Sequence, residues 1–213
     1  PALPMANDLT ILQRDAIELL KELIATPSFS KEEEKTAGVL AKFFAVRDIA
    51  ATWVGNNIFA RNKYFDDGKP TILLNSHHDT VKPNPQYTRH PFSPVIEDGK
   101  LFGLGSNDAG GCLVSLVACF LHFYDKKDLK YNIVIAATAE EEISGTGGIE
   151  YTLPYLPKID CAIVGEPTQM QMAVAERGLM VLDCTSHGKA GHAARTEGEN
   201  AIYKALQDIE WFR

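Results

Sequence analysis

The sequence predicts an α/β fold, a sheet covered by helices on both faces, and three observations carry that reading. Apolar, β-rich runs at 71–74, 132–137 and 160–164 alternate with helical segments at 111–124 and 148–153, the pattern of strands and covering helices. Each run leads into an imidazole or a carboxylate: His77 and Asp79 after the first, Glu140-Glu141-Glu142 after the second, Glu166 after the third. Open α/β sheets place their chemistry at the carboxyl ends of strands. Finally, 213 residues, 45% hydrophobic and 23% charged, are enough for one good core plus a smaller unit.

Taken in order, residues 1–7 carry no pattern. Leu9, Leu12, Ala16, Leu19 or Leu20, and Leu23 recur at helical spacing, with Asp8 or Thr10 available as a cap, and Thr26-Pro27-Ser28 ends that helix. Ser30 and Glu33 spell a capping box for a second helix running to about Val46 with Val39, Leu40, Phe43 and Phe44 as its apolar face. The run Glu32-Glu33-Glu34 then complements the helix amino end. Residues 52–54 and 58–61 read as a hairpin at the sheet edge, and 66–70 as a turn before the central strand. Four prolines make 83–94 a loop, and Asp98-Gly99 closes a small hairpin. Beyond Gly178 the pattern changes to a strand at 179–185, a glycine-bearing turn and a helix at 200–212.

If strand geometry continues past Leu74, His77 and Asp79 point the same way, because strand side chains alternate. His77 as a metal ligand with Asp79 holding its other nitrogen is one reading of the pair, and a polar loop after a strand is the other. Asp108, in Gly105-Ser106-Asn107-Asp108-Ala109-Gly110-Gly111, sits at a helix start and adds a further acid.

The bulk properties exclude several classes. A net charge of −7 repels polyanions, so nucleic acid is disfavoured as a partner. No apolar stretch is long enough to cross a bilayer and no secretory leader opens the chain, so a cytoplasmic location and no membrane partner are expected. Cys112, Cys119, Cys161 and Cys184 show no C-x-x-C spacing, three of them lie in apolar runs where cysteine is expected to be buried, and reduced thiols fit the cytosol.

Five motifs in order, His77-His78-Asp79, the Asp108 loop, Glu140-Glu141-Glu142 with its glycine-rich sequel, Gly165-Glu166-Pro167 and Gly188-Lys189-Ala190-Gly191-His192, span most of the chain from Thr71 to Arg195. Together they resemble the amino-terminal part of the zinc-dependent aminoacylase and carboxypeptidase family. The resemblance implies a mixed, mostly parallel sheet of the zinc-exopeptidase kind in residues 1–178, lacking its carboxyl-terminal part. It also implies that 179–213 are the first strand and helix of an incomplete lid and dimerisation domain, through which a homodimer forms. Two divalent ions, zinc first and cobalt possible, would be held by His77, Asp108, Glu142 and Glu166. In that scheme Asp108 bridges, His77 and Glu166 complete one ion, and Glu142 holds the other. Glu141 would be the general base, Asp79 the partner of His77, and His192 an oxyanion stabiliser reaching from the lid.

The implied activity is hydrolysis of the amide bond of a small N-acyl amino acid, acetylornithine of arginine biosynthesis ahead of an acylcitrulline or succinyl-diaminopimelate, with a peptidase or a non-catalytic metal-binding fragment as alternatives. The sequence departs from the family pattern in places. His90-Pro91-Phe92 stands where Asp-Pro-Phe is usual, and Leu104 and Gly110 stand where an arginine and a lysine flank the aspartate loop. Glu140 replaces an aspartate and is read as a solvated strand-end charge. None of the six histidines occupies the place of the family's far-downstream ligand, so weak catalysis is expected of this chain alone, and the incomplete lid, with an unpaired strand edge and apolar surface, is expected to make it self-associate.

Overall fold

The computed structural model describes residues 9–213 except 176, 179, 193 and 196. The chain divides into two compact units, 1–171 and 172–213, a division slightly earlier than the expected boundary at 178.

In the first unit, helix α1 (Leu9–Ala25) and helix α2 (Glu34–Ala45) precede a hairpin of β1 (Ala51–Val54) and β2 (Asn57–Arg61). Strand β3 (Thr71–His77) follows, then the small hairpin β4 (Val95–Glu97) and β5 (Lys100–Phe102), helix α3 (Cys112–Tyr124), strand β6 (Asn132–Thr138), the single turn α4 (Ile149–Thr152) and strand β7 (Cys161–Val164). The main sheet has the order β1-β2-β6-β3-β7. Strands β1, β2 and β6 pair antiparallel, whereas β6, β3 and β7 run parallel, with His77 opposite Thr138 and Asn75 opposite Val164. The mixed sheet follows from the connections: a tight turn at Gly55-Asn56 permits only an antiparallel neighbour, while the long crossovers through α3 and α4 return the chain in parallel.

Alternation along the strands separates two apolar layers. Ile58, Ala60, Leu74, Ile135 and Ala137 face α1, α2 and α3, where Leu19, Leu40, Phe44, Leu113 and Phe120 are buried. Phe59, Leu73, Val134 and Ala136 face the other way, onto Ile149, Leu156 and Ile159. Helices therefore cover both faces, three long ones on one side and a single turn on the other. In the layer under the long helices Phe44 and Phe120 meet edge to face, with ring centroids 6.1 Å apart.

Three local expectations are corrected. Ser30 and Glu33 form no capping box: the backbone of Glu33 caps α2 without a side-chain hydrogen bond, and the Glu33 side chain is fully buried rather than solvated at the helix end. The cysteines are not buried: Cys112 is half-buried, Cys119 lies exposed on α3, and Cys161 is exposed on the edge strand β7, all four residues of which are open to solvent. In the second unit, no strand forms at 179–185 among the described residues, and Leu179 lies outside them. There a bridge joins Lys189 to Glu199 and helix α5 (Ala201–Phe212) follows, with the Asn200 side chain accepting from the Ile202 amide.

Candidate metal centre

The three parallel strands deliver their chemistry to one end of the sheet because their registers are nearly level. His77 closes β3, Glu140 to Glu142 follow β6, and Glu166 follows β7, where the Gly165 amide donates to Asn75 O at 2.7 Å and keeps the exit aligned with β3. Asp108 arrives from the turn Ser106–Gly111 that leads into α3, where Asp108, extended at φ/ψ of −108° and 107°, and Ala109 interrupt the helical conformation.

His77 is the centre of the cluster, with 1% of its side chain exposed. Its Nδ1 lies 3.0 Å from the Asp79 carbonyl oxygen and 3.3 Å from the Asp79 carboxylate. Its Nε2 faces Asp108 at 3.2 Å, Glu141 at 3.7 Å and Glu166 at 3.8 Å. Burial disfavours the imidazolium, but the hydrogen bond and charge of Asp79, with Glu166 and Glu141 beyond, raise the His77 pKa to about 9. Burial pushes the carboxyls of Glu142 and Glu166 upward, and the neighbouring acids add to it while His77 opposes it.

This is a donor set that fits divalent ions. One imidazole and four carboxylates crowd together, and the crowding raises two of the acids unless a cation offsets it. The ligand atoms of His77, Asp108 and Glu142 lie within 4.8 Å of one another, as do those of His77, Glu141 and Glu166. His77, Asp108, Glu142 and Glu166, the residues expected to hold metal, thus lie in one cluster, with His77 shared by both groups and Glu141 beside Glu166. Nitrogen and oxygen donors of this mix suit a divalent transition metal.

Asp79 does more than hold an imidazole. It is fully buried, and besides His77 it accepts the Ser30 hydroxyl at 2.7 Å, the Glu141 amide at 3.1 Å and the Glu142 amide at 3.2 Å. Burial would raise its pKa, but these donors and the charge of His77 hold it below the usual carboxylate value. The same carboxylate thus orients the histidine and anchors the short turn Glu141–Ile143.

Glu140 is not the solvated charge expected. At φ 55° it turns the chain back, and its carboxylate folds over the glycine-rich segment to accept the Gly147 amide at 3.2 Å. A Cβ on Gly145 or Gly147 would come within 2.1 or 2.3 Å of that carboxylate, so a side chain at either position would displace it from the segment. His78, on the opposite side of the chain from His77, engages both ring nitrogens, Nδ1 with the Thr36 hydroxyl at 2.9 Å and Nε2 donating to Asn56 O at 3.0 Å. Burial lowers its pKa to about 4, so it is a neutral structural bridge.

His192 belongs to the second unit, where it is exposed and its Nδ1 accepts the Ala194 amide at 3.2 Å. His90 is exposed in the loop before β4, away from any ligand role. Sequence reasoning missed Ser30 and Glu33 as supports of the site. The Ser-x-x-Glu spacing that identifies a capping box is the same spacing that turns both side chains inward here, and nothing local distinguishes the two outcomes.

A profile of peptidase family M20/M25/M40 matches residues 73–209, more than half of the 213-residue chain. The chain belongs to peptidase family M20/M25/M40. The matched span holds all the residues of the cluster around His77. A curated relative within reach of this M20 chain is an acetylornithine deacetylase of Shigella sonnei, 34% identical over 202 residues, which cover 87% of this chain and 52% of that protein. The chain spans about half the length of this relative. Among solved structures, an M20 family metallo-carboxypeptidase from Sulfolobus solfataricus superposes with a TM-score of 0.61 at 25% identity, over 70% of this chain and 37% of that one. An aminopeptidase from Bacillus cereus gives a TM-score of 0.61 at 20% identity, over 93% and 56% respectively, a likeness of fold. No helix of the described residues is long and apolar enough to cross a membrane.

Proposed function

We propose that this M20 chain is the metal-binding part of an amidohydrolase that cleaves the amide bond of an N-acyl amino acid, with acetylornithine as the first candidate substrate. The observation that carries the reading is the buried imidazole of His77, held by Asp79 on one side and faced on the other by the carboxylates of Asp108, Glu141 and Glu166. The similarity to an acetylornithine deacetylase supports the choice of substrate and, with it, a role in arginine biosynthesis and a cytoplasmic location.

His77, Asp108, Glu142 and Glu166 would hold two divalent ions, zinc first. When bound, such ions make a water nucleophilic near neutral pH and polarise the amide carbonyl. The protein's own part is to hold and move protons. Glu141, its side chain 56% exposed at the open end of the sheet, is free to take a proton from water and pass it to the leaving amine. Asp79 fixes the tautomer and direction of His77 and, through two backbone amides, the placement of the Glu141 and Glu142 side chains. We assign His192 to stabilising the oxyanion, acting from a lid that also forms a homodimer interface, with residues 179–213 as its opening.

A peptidase is the second reading, favoured by the likeness to the metallo-carboxypeptidase at 25% identity. The two are separated by comparing kcat/KM for acetylornithine, succinyl-diaminopimelate and a set of dipeptides, using the protein with its natural termini in excess zinc and then cobalt. Preference for acetylornithine by tenfold or more supports the deacetylase, and preference for any dipeptide overturns it.

A further inference from the structure

We infer that Glu33 is a positioning residue for the acid turn, holding the backbone of Glu140 so that the following two glutamates present their side chains to His77. The inference rests on the reading above, in which Glu141 is the base and Glu142 a metal ligand.

Glu33 is 0% exposed and lies in the segment between α1 and α2, far in sequence from the acids it serves. Its Oε1 accepts the Glu140 amide at 3.2 Å and the Lys31 amide at 2.6 Å, and its Oε2 accepts the Asn56 side-chain amide at 2.7 Å. A carboxylate withdrawn from water is costly to bury unless donors surround it, and here three do. The next two amides along the chain, those of Glu141 and Glu142, donate to Asp79, which is also 0% exposed. Three successive backbone N–H groups are thus held by two buried carboxylates. The turn needs such a grip, because Glu140 is in the left-handed region at φ 55° and three adjacent acids repel one another. Asp79 alone would leave the Glu140 amide and the entry to the turn unheld. The Glu33–Asn56 contact ties the same turn to the β1–β2 hairpin, whose Asn57 side chain accepts the Ala139 amide at 2.9 Å. The position of the glutamates is therefore set from the hairpin and from α2 as well as from β3.

The test compares the wild-type chain with Glu33→Ala, Glu33→Gln, Asn56→Asp and the double variant Glu33→Gln with Asn56→Asp. In the double variant donor and acceptor are exchanged: the new amide oxygen still accepts both backbone N–H groups, and its nitrogen donates to the new carboxylate. Amide hydrogen exchange is read at Glu140, Glu141 and Glu142 with Ile135 of β6 as the internal reference, and cobalt affinity is read by absorbance. Glu33→Ala should speed exchange at the three glutamates at least tenfold relative to Ile135 and weaken cobalt binding about tenfold, and the double variant should recover most of both. If Glu33→Ala does not fold, the contrast between Asn56→Asp alone, which sets two carboxylates against each other and should loosen the turn, and the double variant, which restores the donor, carries the test. Exchange that rises equally at Ile135, or cobalt affinity that stays at the wild-type value while the turn loosens, overturns the positioning role. Failure of the wild-type chain to bind cobalt at all overturns the metal-centre reading instead, and the exchange comparison still decides whether Glu33 holds the turn.

Discussion

At the scale of single residues, the roles proposed for the clustered acids separate by what surrounds each one. Glu141 is half exposed and makes its contact with His77 from the open side, whereas Asp79 is sealed beneath the same imidazole and saturated with donors. A base must reach solvent and substrate, and an orienting group must not move. Glu141→Gln keeps the size of the side chain and removes its proton affinity, so turnover should fall about 10²–10⁴-fold while bound zinc is unchanged. Steady-state kinetics with a parallel metal assay checks this; near-normal turnover would transfer the role to another group. The proposed metal ligands and Glu141 stand out in the sequence because each adjoins an apolar run, Asp108 before one and the others after one, and falls within a recognisable motif. Ser30 and Glu33 do not, since a serine and a glutamate three apart at a helix start satisfy a capping pattern equally well whether they point along the helix or into the protein.

At the scale of elements, the site depends on the glycine-rich segment after β6. Gly148 leaves no room for a side chain: a Cβ there would meet the Ala139 carbonyl oxygen at 2.2 Å, and backbone cannot step aside as a flexible side chain can. Gly148→Ala should therefore cost roughly 1–3 kcal/mol of stability, seen in denaturant unfolding, and should weaken metal binding because Ala139 leads directly into the Glu140 turn. A fully stable variant with intact metal affinity would show that the segment relaxes without disturbing the acids. The strands themselves were legible, since β3 and β6 begin with the apolar runs at 71–74 and 132–137 and extend beyond them, and β7 lies within 160–164. The strand expected at 179–185 was not, because an apolar run forms a strand only where another strand lies beside it, and Met180, Val181 and Leu182 are largely exposed. The same reasoning applies to the cysteines: an apolar neighbourhood in sequence does not bury Cys161 on an edge strand whose whole length faces solvent.

At the scale of the whole molecule, protons and metal ions compete for one anionic cluster. The folded pKa of His77 is raised from 6.5 to about 9, so its protonation adds stability that is complete below about pH 6.5 and is lost as pH rises through 9. Glu142 and Glu166, also raised, act in the same direction at lower pH. The metal-free protein should therefore lose stability between pH 6.5 and 9, measured by thermal unfolding in the presence of chelator, and zinc should oppose that loss because it takes the place of the proton on His77. A flat profile without zinc would mean that His77 is not held by its carboxylate neighbours. The most direct test of the metal centre is the zinc that remains on the chain after exhaustive dialysis. Wild-type protein should retain at least one ion per chain, and His77→Ala and Asp108→Ala should each retain almost none while keeping the far-ultraviolet circular dichroism of the wild type. Equal zinc content in wild type and both variants would contradict the assignment of this cluster as the metal site.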